Sequence, residues 1–295
     1  MLLMKKFYLL CIFIFTLSTK AYSTENCNKI EIPLKLDKFN LPYLTLTINK
    51  REYQALFDLG SSFSIHIPKE QVSNFNQLKY TGEKIRSMNL DGDMSYDSEF
   101  IISELFISCM SFKDLKGVDF KPWGVTVTKN GEQPSQEANQ LVIGKGLFTG
   151  KVLTIDYSKN KLVVENHAEV RKKRDELSFP FKGEAEGITV PLHSKNKAYS
   201  MVLDTGASSS FFASQKVDPK EKINVCDMDL GEGLDCRNIK TDFNIAGKIP
   251  FKSDALLYPF DDEFRMDGIL GTDFFKSFVV KINFQSGNMS LIKVE

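Results

Sequence analysis

The 295-residue chain has little of what metal centres and nucleic-acid-binding surfaces are built from. Its three histidines, His66, His167 and His193, are scattered, and its five cysteines include no C-x-x-C pair. These spacings argue against a zinc motif, and we expect no metal and no cofactor. The 38 basic side chains equal the 38 acidic ones, so no strong positive field favours nucleic acid. No G-x-S-x-G, Walker or dinucleotide-binding motif is present.

Long apolar runs are also missing, except at the amino terminus. Residues 7–17 are almost wholly apolar, follow Lys5 and Lys6, and precede small residues at positions 21–23. This pattern is typical of a secretory signal peptide, and the run is too short to cross a bilayer ~30 Å thick. We therefore expect cleavage of residues 1–23 and a mature protein that is periplasmic or secreted, without a stable membrane anchor. Removal of this segment leaves 35 basic and 38 acidic side chains, a slightly acidic balance.

Four of the five cysteines lie beyond residue 23, and an exported protein can pair them in disulfides. Cys226 and Cys236 enclose the segment CDMDLGEGLDC, whose central glycines predict a hairpin that brings the two thiols together. Of the three possible pairings we therefore favour Cys226 with Cys236, which leaves Cys27 for Cys109.

What the chain does contain is a repeat. Residues 54–65 read QALFDLGSSFSI and residues 200–211 read SMVLDTGASSSF, so Asp58 and Asp204 are equivalent positions 146 residues apart. Each aspartate ends an apolar run and precedes x-Gly-(Ser/Ala)-Ser, which predicts a strand that enters a tight turn and presents a carboxylate. Downstream, Gly144 and Gly271 each end an apolar stretch and are 127 residues apart.

The repeats predict a mostly β protein with two similar lobes. Upstream of each aspartate, apolar and polar residues alternate around a polar turn, as in a hairpin. A second candidate hairpin follows in each repeat, and we expect its tip at Asp91-Gly92 in the first repeat and at Gly231 to Gly233 in the second. We assign residues 24–166 and 178–295 to the lobes, and the charged residues 167–177 to a linker. Residues 127–140, rich in turn formers, are expected to form a surface loop.

At these positions the chain resembles the aspartic proteases of the pepsin and retropepsin type. The resemblance rests on Leu203-Asp204-Thr205-Gly206-Ala207 followed by Gly268-Ile269-Leu270-Gly271, and on the weaker matches Phe57-Asp58-Leu59-Gly60-Ser61 and Val142-Ile143-Gly144. It covers nearly all of residues 30–295. It implies an all-β, bilobal fold in which two tandem retropepsin-like repeats act as a pseudo-dimer within one monomer, with the hairpins as flaps over a bound polypeptide substrate.

The resemblance also implies the chemistry of the aspartates. Two adjacent carboxyl groups that share one proton can act as base and acid in peptide hydrolysis, because two like charges at close range do not both ionise cheaply. Asp58 and Asp204 are the catalytic candidates, active in acid. Gly60 and Gly206 are expected to permit the turn and leave room for substrate, and Ser61 to hydrogen-bond the outer oxygen of Asp58.

Thr205 and Leu59 set the two repeats apart. In the family, the hydroxyl group of the threonine after each aspartate hydrogen-bonds the turn of the opposite lobe, and this lock holds the two carboxyl groups together. Thr205 can supply one of the two hydroxyl groups, and Leu59 cannot supply the other. Two alternatives to a dyad enzyme remain open. In the first alternative, the protein binds peptides or acts as an inhibitor and does not cleave. In the second, two Thr205-bearing halves from different chains pair to form the site. An aspartate before glycine also occurs as a plain turn residue.

Overall fold

Each repeat of the sequence folds into its own series of short strands in the computed structural model, which describes residues 27–48, 51–75, 77–88, 94–120, 140–167, 176–184, 187–194, 197–218, 220–228, 230 and 235–294. The strands of the first repeat are β1 (Lys29–Leu36), β2 (Pro42–Ile48), β3 (Arg51–Asp58), β4 (Ile65–Pro68), β5 (Leu78–Met88), β6 (Met94–Ile107), β7 (Met110–Phe120), β8 (Leu141–Gly144), β9 (Val152–Asp156) and β10 (Lys161–Glu165).

The second repeat adds eleven strands and a short helix. They are β11 (Leu177–Pro180), β12 (Lys182–Glu184), β13 (Gly187–Ser194), β14 (Lys197–Leu203), β15 (Phe211–Ala213), β16 (Ile223–Val225), β17 (Arg237–Ile245), β18 (Ile249–Tyr258), β19 (Gly268–Leu270), α1 (Thr272–Ser277), β20 (Phe278–Asn283) and β21 (Asn288–Lys293). Single 3-10 turns lie at Lys69–Asn74, Lys145–Phe148, Tyr157–Lys159 and Ser214–Lys216.

The strands form two sheets that confirm the predicted all-β, two-lobed architecture. One sheet has 13 strands in the order β11-β21-β20-β9-β10-β1-β2-β3-β8-β4-β7-β6-β5, and the other has eight in the order β12-β13-β14-β19-β15-β18-β17-β16. The predicted hairpins on the approach to each aspartate are β2–β3 and β13–β14, whose strands pair antiparallel. In β2 the buried residues alternate with more exposed ones, whereas β13 and β14 each contain a continuous run of buried residues.

The two repeats meet through a shared sheet. Strand β9 pairs antiparallel with β20, and Thr154 lies opposite Lys281. The 127-residue offset makes these two residues equivalent, so a pseudo-twofold axis passes between them. This pairing gives the pseudo-dimer a continuous hydrogen-bonded base below the turns that carry the aspartates.

Between the two repeats, β10 ends at Glu165 and β11 begins at Leu177. Most of the predicted linker, the signal segment and nearly all of the loop expected at 127–140 lie outside the described residues. No helix among the described residues has both the length and the apolar composition needed to cross a membrane.

Both disulfides are present with the expected pairing. Cys27 joins Cys109 across 82 residues, and Cys226 joins Cys236 across ten. The first links the segment before β1 to the β6–β7 turn. The second joins the residue after β16 to the residue before β17, at the loop end of this hairpin, beside a hydrogen bond from the Cys226 N–H to the Cys236 carbonyl.

Candidate active site

Each aspartate stands where a strand leaves the sheet beside a glycine-ended strand of the same lobe. Asp58 closes β3 and lies opposite Gly144 in the parallel β3–β8 pair. In the second lobe the Asp204 N–H donates to the Leu270 carbonyl at 3.0 Å, at the end of the parallel β14–β19 pair. Equivalent strands therefore bring the two aspartate turns to equivalent positions on either side of the pseudo-twofold axis.

The glycines that end β8 and precede α1 are required by close backbone packing. A Cβ atom on Gly144 would lie 2.2 Å from the Phe63 carbonyl oxygen, and one on Gly271 would lie 2.2 Å from the Ser209 carbonyl oxygen. These contacts are too short for any side chain, so each apolar-apolar-Gly strand is pressed against the turn that carries the aspartate.

The carboxyl groups of Asp58 and Asp204 are hydrogen-bonded to each other. Each is also held by its own turn. The Gly60 N–H donates to Asp58 Oδ1 at 2.8 Å, and the Gly206 N–H donates to Asp204 Oδ1 at 2.7 Å. The structure thus brings the two predicted catalytic residues together in one chain, each with a glycine N–H that donates to its Oδ1.

Gly60 and Gly206 have a stricter role than the one expected from the sequence. A Cβ atom on Gly60 would lie 2.9 Å from Asp204 Cγ, and a Cβ atom on Gly206 would lie 3.0 Å from Asp58 Cγ. Each glycine therefore makes room for the carboxyl group of the opposite lobe. A methyl group at either position would push the carboxyl groups apart.

The environments of the two carboxyl groups are unequal. Burial raises the pKa of both. For Asp204, the negative charge of Asp58 raises the pKa further, well above its ordinary value. For Asp58, the hydrogen bond from Asp204, the N–H groups of Gly60 and Ser61, and the charge of Lys145 lower the pKa. The N–H groups of Gly206 and Ala207 likewise lower the pKa of Asp204, which is still raised more than that of Asp58.

Thr205 crosses between the lobes. Its hydroxyl group donates to the Phe57 carbonyl at 2.7 Å and accepts from the Leu59 N–H at 3.0 Å. Thr205 and Leu59 are both fully buried. The lock thus has one hydroxyl group, from the second lobe, and the leucine side chain packs into the core instead of supplying a second.

Ser61 does not have the side-chain orientation expected from the sequence. Its hydroxyl group forms a short hydrogen bond with His66 Nε2, and its backbone N–H is the group that supports Asp58. His66 lies on β4 with an exposed fraction of 4%, edge-on to Phe63 and Phe120. Burial lowers the pKa of His66 from 6.5 to about 4, so the imidazole stays neutral over most of the acidic range.

Two further residues near the dyad were not predicted from the sequence. Lys145 follows Gly144, and its Nζ donates to Ser62 Oγ at 2.8 Å. Tyr157 is buried and stacks on Phe275, and its hydroxyl group finds no hydrogen-bond partner among the described residues. Burial and the charge of Asp204 raise the pKa of Tyr157, which keeps its phenol neutral. The sequence signal that could have identified Lys145 is its position directly after Gly144, where a charged side chain follows the apolar-apolar-Gly strand.

The predicted flaps are hairpins at their bases, and their tips lie outside the described residues. In the first lobe β5 and β6 pair up to Met88 and Met94, on either side of the expected tip at Asp91 and Gly92. Arg86 of this hairpin reaches across to Glu263 of the second lobe, with 3.3 Å between Nη2 and Oε1. The hairpin therefore contacts the opposite side of the cleft.

The corresponding hairpin of the second lobe is β16–β17, in which Val225 lies opposite Arg237. The residues expected at its tip, Gly231 and Gly233, lie outside the described part of the chain. Leu230 beside them is buried, in a hydrophobic cluster with Tyr258 and Phe260. This arm packs on its own lobe next to the active-site turn.

Comparisons with known proteins agree on the fold. No protein-family profile and no curated protein sequence matches the chain. Among solved structures, the aspartic proteinase from Irpex lacteus superposes with a TM-score of 0.57 and 12% identity over 90% of this chain and 98% of that one. Basic 7S globulin from soybean also has a TM-score of 0.57, with 9% identity over 90% and 94% of the two chains. The chain therefore has a pepsin-like aspartic protease fold.

Proposed function

We propose that this chain is an exported aspartic endopeptidase that hydrolyses peptide bonds with the Asp58 and Asp204 pair. The observation that carries the proposal is the hydrogen bond between the two carboxyl groups at the centre of the pseudo-dimer. Hydrolysis without a covalent intermediate needs one group that removes a proton from water and another that protonates the carbonyl oxygen. A carboxyl pair that holds one charge and one proton supplies both.

The unequal environments assign the roles. The Asp58 carboxylate takes a proton from water, whose oxygen attacks the carbonyl carbon, while Asp204 gives its proton to the carbonyl oxygen. The product of this step is a neutral gem-diol. Asp58 then protonates the leaving nitrogen, the carbon–nitrogen bond breaks, and one hydroxyl proton of the gem-diol returns to Asp204. The pair ends in its starting state, with a carboxylic acid and an amine released.

This chemistry predicts a bell-shaped pH dependence. Below the first ionisation of the pair there is no base, and above the second there is no acid. We expect activity in the acidic to mildly acidic range, on an extended polypeptide bound between the β5–β6 hairpin and the second lobe. The two disulfides and the amino-terminal segment support export, and Thr205, which contacts Phe57 and Leu59 of its own chain, supports a monomer.

The test is an assay of the purified protein on an unfolded protein from pH 3 to 7. Asp58→Asn and Asp204→Asn should each reduce kcat by at least about 10³-fold, because neither can share the proton. Asp242→Asn is the matched control, since Asp242 is 77% exposed and forms an ion pair with Lys252 at 3.4 Å. Activity that persists in Asp204→Asn, or that pepstatin leaves unchanged, would overturn the proposal.

A second candidate function is a protein that binds peptides in the same cleft and does not cleave them. The lock with a single hydroxyl group favours it, because Leu59 leaves the first-lobe turn with one fewer bond to the second lobe. The soybean neighbour is named as a globulin and not as a proteinase. Calorimetry that finds tight peptide or pepstatin binding, with no turnover at any acidic pH, would support this function over the enzyme.

A third candidate pairs the second halves of two chains. It requires activity that follows the concentration of dimer. Sedimentation of an active sample as a monomer would eliminate it. Linked halves have a high effective concentration for each other, which favours pairing within one chain.

A further inference from the structure

At one position beside the dyad the two repeats differ in charge. Lys145 directly follows Gly144, and Thr272 directly follows Gly271, so the 127-residue offset makes them equivalent. The first lobe thus has a cation where the second has a neutral hydroxyl group. The difference lies next to the strand that pairs with Asp58.

The backbone at this position is the same in both lobes. The Lys145 N–H donates to the Ser61 carbonyl at 3.0 Å, and the Thr272 N–H donates to the Ala207 carbonyl at 2.9 Å. Ser61 and Ala207 are themselves equivalent, three residues after their aspartates. A threonine is therefore sufficient to hold this backbone contact, and the ammonium group of Lys145 is not needed for it.

The two side chains fold back over their turns in parallel ways. Thr272 Oγ1 donates to the Ser208 carbonyl at 2.5 Å, and Lys145 Nζ donates to Ser62 Oγ at 2.8 Å. Ser62 and Ser208 are again equivalent. The bond to Ser62 holds the ammonium group of Lys145 on the active-site turn of the first lobe.

Lys145 has no neutralising partner of its own besides the dyad in the described part of the chain. The charged groups that act on it are Asp58, at the end of β3, and Asp204, after β14. Its side chain is half-buried, so solvent screens these interactions less than at the surface. Burial lowers the pKa of Lys145, and both aspartates oppose that shift.

We propose that Lys145 is a positioning residue whose ammonium group keeps the single negative charge of the dyad on Asp58 and the shared proton on Asp204. The two aspartate turns are otherwise close to symmetric, and a symmetric pair has no fixed base. The equivalent position beside Asp204 holds the neutral Thr272, and the charge of Lys145 interacts more strongly with Asp58 than with Asp204. The charge difference between the lobes thus assigns base and acid.

The kinetic consequence rests on the proposed function. A cation beside the dyad favours every ionised form of it, so the neutral variant Lys145→Thr, which copies the second lobe, should move both limbs of the pH profile upward. A nearby opposite charge lowers a carboxyl pKa by roughly one unit or more, so we expect a displacement of about 0.5 to 1 pH unit. Lys145→Arg keeps the charge and should leave the limbs in place.

The charge on Asp58 can also be measured without turnover. Carbon-13 NMR of protein labelled at the aspartate carboxyl carbons reports the ionisation of each group, and spectra of Asp58→Asn and Asp204→Asn assign the two signals. In Lys145→Thr the signal of Asp58 should titrate at higher pH by the same 0.5 to 1 unit. Lys145→Gln, which retains length and can still bond Ser62, is the second neutral variant if the threonine variant does not fold.

Lys151→Thr is the matched control. Lys151 is also half-buried, six residues away, and its Nζ bonds Asn166 Oδ1 at 2.9 Å. Only burial alters its pKa, with no contribution from the dyad. An Asp58 titration that is unchanged in both neutral Lys145 variants, or equally displaced in Lys151→Thr, would overturn the inference. A wild-type protein that cleaves nothing would overturn only the proposed function, because the titration would still test Lys145.

Discussion

The hydroxyl group of Thr205 is hydrogen-bonded to the backbone N–H of Leu59, the residue that occupies its own position in the other repeat. The same hydroxyl group donates to the Phe57 carbonyl. One side chain therefore satisfies two backbone groups of the opposite lobe in a fully buried interface. The side chain of Leu59 has no hydroxyl group and makes no such hydrogen bond to the second lobe.

Thr205→Val should destabilise the protein more than its small change in shape suggests. Valine keeps the volume but leaves the Leu59 N–H without its acceptor and the Phe57 carbonyl with one bond fewer. We expect a loss of about 2 to 3 kcal/mol in the free energy of unfolding. Thr205→Ser retains the hydroxyl group and should lose about 1 kcal/mol. Urea denaturation of the two variants makes the comparison, and equal losses would show that the hydrogen bonds add nothing.

Leu59→Thr should not restore a symmetric lock. Leu59 is fully buried in the main core, so threonine both creates a cavity and buries a hydroxyl group. We expect a loss of about 2 to 4 kcal/mol. Leu59→Val has the same shape as threonine without the hydroxyl group and should lose only about 1 kcal/mol. A threonine variant more stable than the valine variant would mean that the hydroxyl group has found a partner in the second lobe.

The constant spacing of the repeats explains why so much of the fold could be predicted. Two aspartate turns and two apolar-apolar-Gly strands at matching offsets define two lobes, and the asymmetry of Thr205 and Leu59 is visible as a difference between aligned positions. The disulfides followed from the glycines between Cys226 and Cys236. These are properties of local pattern and order, which a sequence carries directly.

Side-chain direction was harder to predict because it depends on strands that are distant in sequence. The hydroxyl group of Ser61 is hydrogen-bonded to His66, which lies on β4, and not to the outer oxygen of Asp58. Gly60 faces Asp204, 144 positions further along the chain. Lys145 aligns with Thr272, and only the folded turn shows that the lysine charge acts on the dyad.

Gly60→Ala should abolish the contact between the carboxyl groups. Its Cβ atom would lie 2.9 Å from Asp204 Cγ, so the aspartate or the turn must move. A misplacement on the order of 1 Å costs about 10²-fold in rate, and we expect at least that loss in kcat/KM. Gly183→Ala is the control, because no atom lies within 4 Å of its added Cβ. Full activity of Gly60→Ala would show that the carboxyl groups need not touch.

Asp204→Asn should stabilise the protein at neutral pH. The pKa of Asp204 is raised by folding, so its contribution to stability is complete below the unfolded pKa and is lost as pH rises through the folded pKa. Asparagine is neutral at every pH and escapes this loss. The Tm difference between Asp204→Asn and the wild type should therefore grow from pH 4 to pH 7. A pH-independent difference would contradict the raised pKa.

His66 should limit stability in acid. Folding lowers the pKa of His66 from 6.5 to about 4. Between these pH values the unfolded chain binds a proton at His66 and the folded chain does not, so the stability present above pH 6.5 is lost as pH falls towards 4. The loss is on the order of 3 kcal/mol. His66→Gln can still bond Ser61 and should lose less stability than the wild type as pH falls from 7 to 4, as measured by urea denaturation.

His193→Gln provides the reference for this last experiment, because His193 is exposed and its substitution removes no buried group. His66 and Asp204 act in opposite directions, since acid weakens the fold through the histidine and strengthens it through the aspartate. The single variants His66→Gln and Asp204→Asn should therefore change the slope of the wild-type profile in opposite directions, and the double variant should show the sum of the two changes. If neither single variant changes the slope, neither buried group governs the pH dependence of stability.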